Sequence, residues 1–284
     1  MQHLTIVARD RKRLEAAQQH LERLIEAVYI EKGGTPKPKV HILSLDVSVA
    51  AEVSTKICEY IQNIGTPTML FNNAGAYTSG TMLETDVETY EFLMNTNYLG
   101  SIYITKAFLP RMKQQNLGCI TFTSSAAGQI GLFGYTAYSP TKFALKGLAE
   151  ALVMEVRPYN ISVTVAYPPD TDTPGYRREF EASTRPKETS LICKAAGLFQ
   201  PKDVARKMVL ATVKGYDSVW FGLDGWILNT LTAGMAPVTS FTDALAQVLL
   251  MSVLRLVSFS YLMELNDTVL KCKKEREKEG ARTF

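Results

Sequence analysis

Histidine is absent from this chain beyond His41. The three it has, His3, His20 and His41, all fall near the start, which excludes a histidine-centred triad or a zinc cluster in the later part of the chain. Cysteine is also scarce. The four, Cys58, Cys119, Cys193 and Cys272, stand far apart with no C-x-x-C pair, which suits reduced thiols in a reducing compartment rather than a disulfide framework. No metal site is expected. Charge of one sign is missing too: 31 basic and 28 acidic residues leave a formal +3, too little for a strongly basic nucleic-acid footprint, so no nucleic-acid partner is expected. The start of the chain lacks a long apolar run. Met1 to Ala8 is too short before Arg9 to be a signal peptide or membrane anchor, and it reads as a buried strand.

What is present is enough apolar residue for one core. At 284 residues and 46% hydrophobic content, one substantial α/β domain with appendages is expected, and nothing in the length demands a second. Short apolar runs predict strands near Leu4 to Ala8, Val40 to Asp46, Met69 to Asn72, Cys119 to Ser124, Ile161 to Tyr167 and Ser218 to Gly222. Helical patterns fill the gaps from Arg11 to Glu31, Ala50 to Ile64, Glu88 to Lys113, Thr136 to Pro158 and after Pro201. Such alternation, with continuous rather than period-2 strands, signals a parallel sheet covered on both faces. Gly33 to Pro38 reads as a loop by composition. After Gly234-Met235-Ala236-Pro237 the alternation stops. A largely apolar helical stretch, Ala244 to Met263, precedes a Lys/Glu/Arg tail from Lys271 to Lys278. The expected division is therefore an α/β domain over 1–225 and a hydrophobic helical extension over 226–284.

The sharpest chemical signal is Tyr138-Ser139-Pro140-Thr141-Lys142 opening a helix. A spacing of four puts the phenol and the ammonium on one face, one turn apart. A nearby cation favours phenolate, so the pair forms a plausible general acid for carbonyl reduction. Thirteen residues before the tyrosine, at the end of an apolar run, stands Ser125, preceded by Ser124; a hydroxyl there can hydrogen-bond a substrate carbonyl. Asn72-Asn73-Ala74-Gly75 closes another strand, and Asn97 is a polar residue in a mostly apolar helix that calls for a partner if buried.

In this order the N-N-A-G, N-x-x-G, S-S with Y-x-x-x-K, and P-x-x-x-x-T motifs resemble the short-chain dehydrogenase/reductase family over roughly residues 1–225. The resemblance implies a Rossmann-like doubly wound parallel sheet. It also implies that Tyr138 donates a proton, Ser125 or Ser124 polarises the ketone, Lys142 binds the nicotinamide ribose and lowers the tyrosine pKa, and Asn97 holds a relay water. Arg9 and Arg13 would face the 2′-phosphate of NADPH, for which arginine's fork geometry suits. Asp46 and Val47 would flank the adenine, Asn73, Ala74 and Gly75 would follow the ribose and phosphates, and Thr171 and Thr173 would meet the carboxamide and phosphates. Pro168-Pro169 departs from the family's usual Pro-Gly and stiffens that turn.

Gly131 to Gly134, Ala166 to Gly175 and Gly234 to Ser240 resemble a narrower branch whose members reduce a long-chain keto-sphingoid base with NADPH at the endoplasmic reticulum membrane, their catalytic face towards the cytosol. Other membrane-linked members act on steroids or retinoids, and that alternative stays open. Ala244 to Met263 reads as a core or dimer helix, a membrane span or an interfacial helix. Arg255 near its centre, at a cost of roughly 2.5–3.5 kcal/mol at a bilayer midplane, favours the membrane surface, and a homodimer through this helix stays open. The family's first strand and its T-G-x-x-x-G-x-G turn have no counterpart in the sequence. In the family's strand order that strand lies between Leu4 to Ala8 and Met69 to Asn72, so a gap is expected there. The expectation is a truncated gene model or alternative isoform, with a catalytically silent chain as the second reading.

Overall fold

The structure, a computed structural model, describes residues 3–32, 37–180, 185–195 and 197–281. The expected alternation becomes parallel strands joined by covering helices. Strand β1 (His3–Ala8) leads through α1 (Arg11–Lys32) to β2 (Lys39–Ser44), and α2 (Ala50–Asn63) leads to β3 (Met69–Asn72). Next come α3 (Val87–Leu93), a π-helical turn at Met94–Leu99 and α4 (Gly100–Gln115), followed by β4 (Gly118–Thr123). After it run α5 (Tyr138–Val156), β5 (Ile161–Ala166), α6 (Pro174–Phe180), α7 (Lys187–Ala195), α8 (Pro201–Val213), β6 (Ser218–Val219), α9 (Gly222–Leu231) and α10 (Phe241–Ala281).

The strands form two sheets, β1-β2 and β3-β4-β5-β6, and the pairings within both are parallel. Among the described residues β1 and β3 share no ladder, so each presents an edge where the expected order leaves out a strand. A common core nevertheless spans both. Ile120 and Phe122 of β4 and Val163 and Val165 of β5 cluster with Leu145, Ala149, Leu152 and Val156 of α5, and Leu45, just after β2, joins them through Val53 and Ile57 of α2. The intervals of three and four between the buried α5 residues give that helix its apolar stripe. Strands buried on both faces explain why β4 and β5 read as continuous apolar runs.

Four expectations are corrected, the first being the buried strand at the start, since β1 is intermediate to exposed along its whole length. The helix expected over Glu88 to Lys113 is broken by the π turn, an inserted residue's worth of winding that turns Asn97 fully inward. The strand expected over Ser218 to Gly222 shrinks to Ser218–Val219, because Gly222 takes a φ of +67° and begins α9. The apolar helix extends well beyond Ala244 to Met263 and absorbs the charged tail, whose lysines and glutamates are good helix formers and pair one turn apart at Lys273 and Glu277. Of the expected loop, Gly33 to Pro36 lie outside the described residues.

Candidate active site

The carboxyl ends of the β3-β4-β5-β6 sheet converge on a cavity of about 730 Å³. This is where open parallel sheets bind ligands, and the volume suits a small molecule. Asn73 and Gly75 enter from the end of β3, Ser124 and Ser125 from the end of β4, and Tyr138 and Lys142 from the first turns of α5. The stretch after β5 supplies Pro168, Pro169, Asp170, Thr171 and Thr173.

Each polar group here has a traceable reason for its position. Lys142 is almost wholly buried, and its Nζ donates to the Thr123 carbonyl at 2.9 Å, at the end of β4. Burial lowers its pKa to about 8. Nζ lies 5.6 Å from the centre of the Tyr138 ring, as the four-residue spacing requires. Tyr138 is hydrogen-bonded to Ser125, yet burial outweighs that bond and pushes the phenol above its ordinary pKa, with the negative charge of Asp170 pushing the same way. Burial dominates both groups in the ligand-free cavity, raising the phenol and lowering the ammonium.

The structure also separates the two serines. Ser124 is buried and its Oγ donates to the Lys142 carbonyl at 2.8 Å, so its hydroxyl holds α5 against β4. Ser125 is the one that meets Tyr138. Gly128 makes this packing feasible, since a Cβ there would stand 2.3 Å from Ser124 Oγ and 2.9 Å from the Lys142 carbonyl oxygen. Asn97 lies behind the cavity, fully buried. Its Oδ1 accepts from the Ala76 amide at 2.7 Å, while its Nδ2 donates to the Ala76 carbonyl and to Thr141 Oγ1, both at 2.9 Å. It thus clamps the segment after β3 onto α5.

The remaining expected residues divide. Thr171 Oγ1 donates to the Pro169 carbonyl, and Thr173 Oγ1 accepts from the Tyr176 amide, so both hydroxyls shape the turn that leads into α6. Asn73 Oδ1 accepts from Thr123 Oγ1, and Ala74 is exposed beside it. Arg9, Arg13, Asp46 and Val47 are not among the described lining of the cavity. Arg9 lies 3.7 Å from Asp46, Arg13 pairs with Asp10 at 3.3 Å, and Val47 packs where a Cβ on Gly100 would come within 2.9 Å.

Gly75 shows how a nicotinamide cofactor fits. A Cβ at that position would lie 3.2 Å from Asn97 Oδ1 and 3.6 Å from Lys142 Nζ, which would fill the space beside the ammonium. Sequence reasoning gave no role to a second group of lining residues. Tyr77 and Tyr135 bond through their hydroxyls and pack edge-on against Tyr138, Tyr135 reaches Cys193 at 3.2 Å, and Asp170 and Tyr261 complete the wall. They come from segments far apart in the chain. Asp170 and Tyr261 sat within segments already noticed, though without this role.

Residues 3–184 match the short chain dehydrogenase family. The chain is 44% identical over 277 residues to 3-dehydrosphinganine reductase of Danio rerio, covering 96% of this chain and 80% of that protein. It is 35% identical to 3-ketodihydrosphingosine reductase of Dictyostelium discoideum, over 86% of this chain and 72% of that one. Among solved structures it resembles a short-chain dehydrogenase from Streptomyces avermitilis, with a TM-score of 0.62, 25% identity and 80% of each chain covered. A gluconate 5-dehydrogenase from Burkholderia cenocepacia in complex with NADP and tartrate shares the fold, with a TM-score of 0.61 at 18% identity over 76% of this chain and 82% of that one.

Proposed function

The chain belongs to the short chain dehydrogenase family and is an oxidoreductase with a nicotinamide cofactor, and we propose that it reduces 3-dehydrosphinganine to sphinganine with NADPH. The observation that carries the reading is the trio of Tyr138, Ser125 and Lys142 on one wall of the cavity at the sheet's carboxyl end. The long identity with keto-sphingoid reductases supports the substrate.

Bound NADPH supplies a hydride to the carbonyl carbon. The chain's own groups govern the oxygen. Ser125 Oγ and the Tyr138 hydroxyl converge on it as two donors, and the proton of the phenol passes to that oxygen as the carbonyl becomes a secondary alcohol. The Lys142 ammonium, held by the Thr123 carbonyl, would stabilise the phenolate left behind and would hold the cofactor's ribose hydroxyls. Asn97 keeps the Ala76 backbone in place beside Gly75, so the ribose space stays open. Arg9, at the carboxyl end of β1, remains the candidate for the 2′-phosphate.

The tail of a long-chain ketone needs an apolar way in. Tyr261 of α10 lines the cavity, and the same helix exposes Val248, Leu249, Val253, Leu256, Val257 and Met263. The helix is long and apolar enough to cross a membrane, and its apolar window is unburied. Arg255, stacked 4.8 Å from the Phe259 ring, favours a helix lying at the surface, here the cytosolic face of the endoplasmic reticulum. Tyr138→Phe tests the chemistry. Reductase activity should fall by at least about 10²-fold while folding is kept, and an equally active variant would defeat the assignment.

A further inference from the structure

The substrate proposed above carries an amine on the carbon next to the ketone, and a protonated amine entering a part-buried cavity needs a counter-charge. The cavity holds one in the right place. Asp170 lines the same cavity as Tyr138 and Ser125, and its negative charge opposes ionisation of the Tyr138 phenol. Its Oδ2 is buried without a hydrogen-bond partner among the described residues, an arrangement that costs stability unless a ligand completes it.

The other carboxylates that line the cavity are Glu179 and Asp224, of which Asp224 is exposed to solvent. Glu179 accepts from Ser79 Oγ at 2.6 Å, and Asp172 is held by both nitrogens of the Arg177 fork at 2.7 and 2.8 Å. Burial raises the Asp170 carboxyl above its ordinary pKa, and the Arg185 charge and a hydrogen bond with Cys193 only partly offset that rise, so a cationic ligand would be what restores the carboxylate. Arg185 also acts on Tyr77, Tyr135 and Cys193, so its charge is spread over several partners.

Building on the keto-sphingoid reading, we propose that the Asp170 carboxylate receives the substrate's ammonium and so selects 2-amino ketones over plain ketones. The pairing has a second effect. An ammonium seated on Asp170 cancels the negative field that opposes ionisation of Tyr138, and so makes the phenol a better acid when the amino ketone is bound. Substrate charge thereby tunes the proton donor.

The test compares a short-chain 2-amino-1-hydroxy-3-ketone with its counterpart lacking the amine, using the NADPH-loaded protein. Binding of the corresponding amino diol and plain diol, followed by calorimetry, is the second readout. For the wild type, kcat/KM and affinity should both favour the amine. In Asp170→Asn the ratio of kcat/KM between the two ketones should fall about 10- to 100-fold, and in Asp170→Glu most of the ratio should return. A variant that loses both substrates in proportion, leaving the ratio unchanged, would overturn the proposal and make Asp170 a structural partner of Arg185. A wild type that reduces both ketones equally would overturn it as well while leaving the reductase reading intact. Reduction of neither ketone would sink that reading and the proposal together.

Discussion

Lys142 carries a charge that the fold makes expensive. Burial lowers its pKa from 10.5 to about 8, so between those values the folded chain holds fewer protons than the unfolded chain, and stability rises with pH across that window. Below about pH 8 the full cost is present, up to about 3 kcal/mol from the size of the shift. Lys142→Met should therefore be more stable than the wild type at pH 7, with the gap closing towards pH 10.5; denaturant titrations at both ends check this. The two serines make a paired expectation at the same scale. Ser125→Ala should lose activity by about 10²-fold with little change in stability, because its hydroxyl faces Tyr138. Ser124→Ala should do the reverse, costing about 1 kcal/mol through the lost bond to the Lys142 carbonyl.

The π turn at Met94–Leu99 is the element that aims Asn97 at the backbone after β3. Asn97→Ala would strand the amide and carbonyl of Ala76 and should cost about 3 kcal/mol, measured by chemical denaturation. Asn97 stood out in the sequence as a polar residue on an apolar helix, but the π turn that directs it has no period to betray it. Strands and long helices were legible because continuous apolar runs and three-to-four spacing are local signals. The short helices α6, α7 and α9 gave no such signal. Their places depend on distant contacts, as in α7, where Lys187 bonds Glu275 at 2.8 Å and the buried Glu188 meets Arg276 of α10. The Tyr138, Ser125 and Lys142 trio was readable because its spacing is local or family-wide. The Tyr77, Tyr135 and Cys193 wall was not, since only the fold brings it together.

At the scale of the whole molecule, two parallel sheets share one core, and among the described residues neither β1 nor β3 has a ladder partner on its second edge. Amides of β4 and β5 should be the slowest to exchange with solvent, and edge amides of β1 at least about tenfold faster. Equal protection across both sheets would contradict the divided arrangement. The candidate active-site cavity belongs to the β3-β4-β5-β6 side, bordered by α10, whose exposed apolar face suits a lipid surface. The most direct test of the account is NADPH oxidation by the purified chain presented with 3-dehydrosphinganine in vesicles, with Tyr138→Phe measured beside it. The account predicts turnover to sphinganine by the wild type and its loss, by about 10²-fold or more, in the variant. Absence of turnover in the wild type, or equal turnover in both, would contradict it.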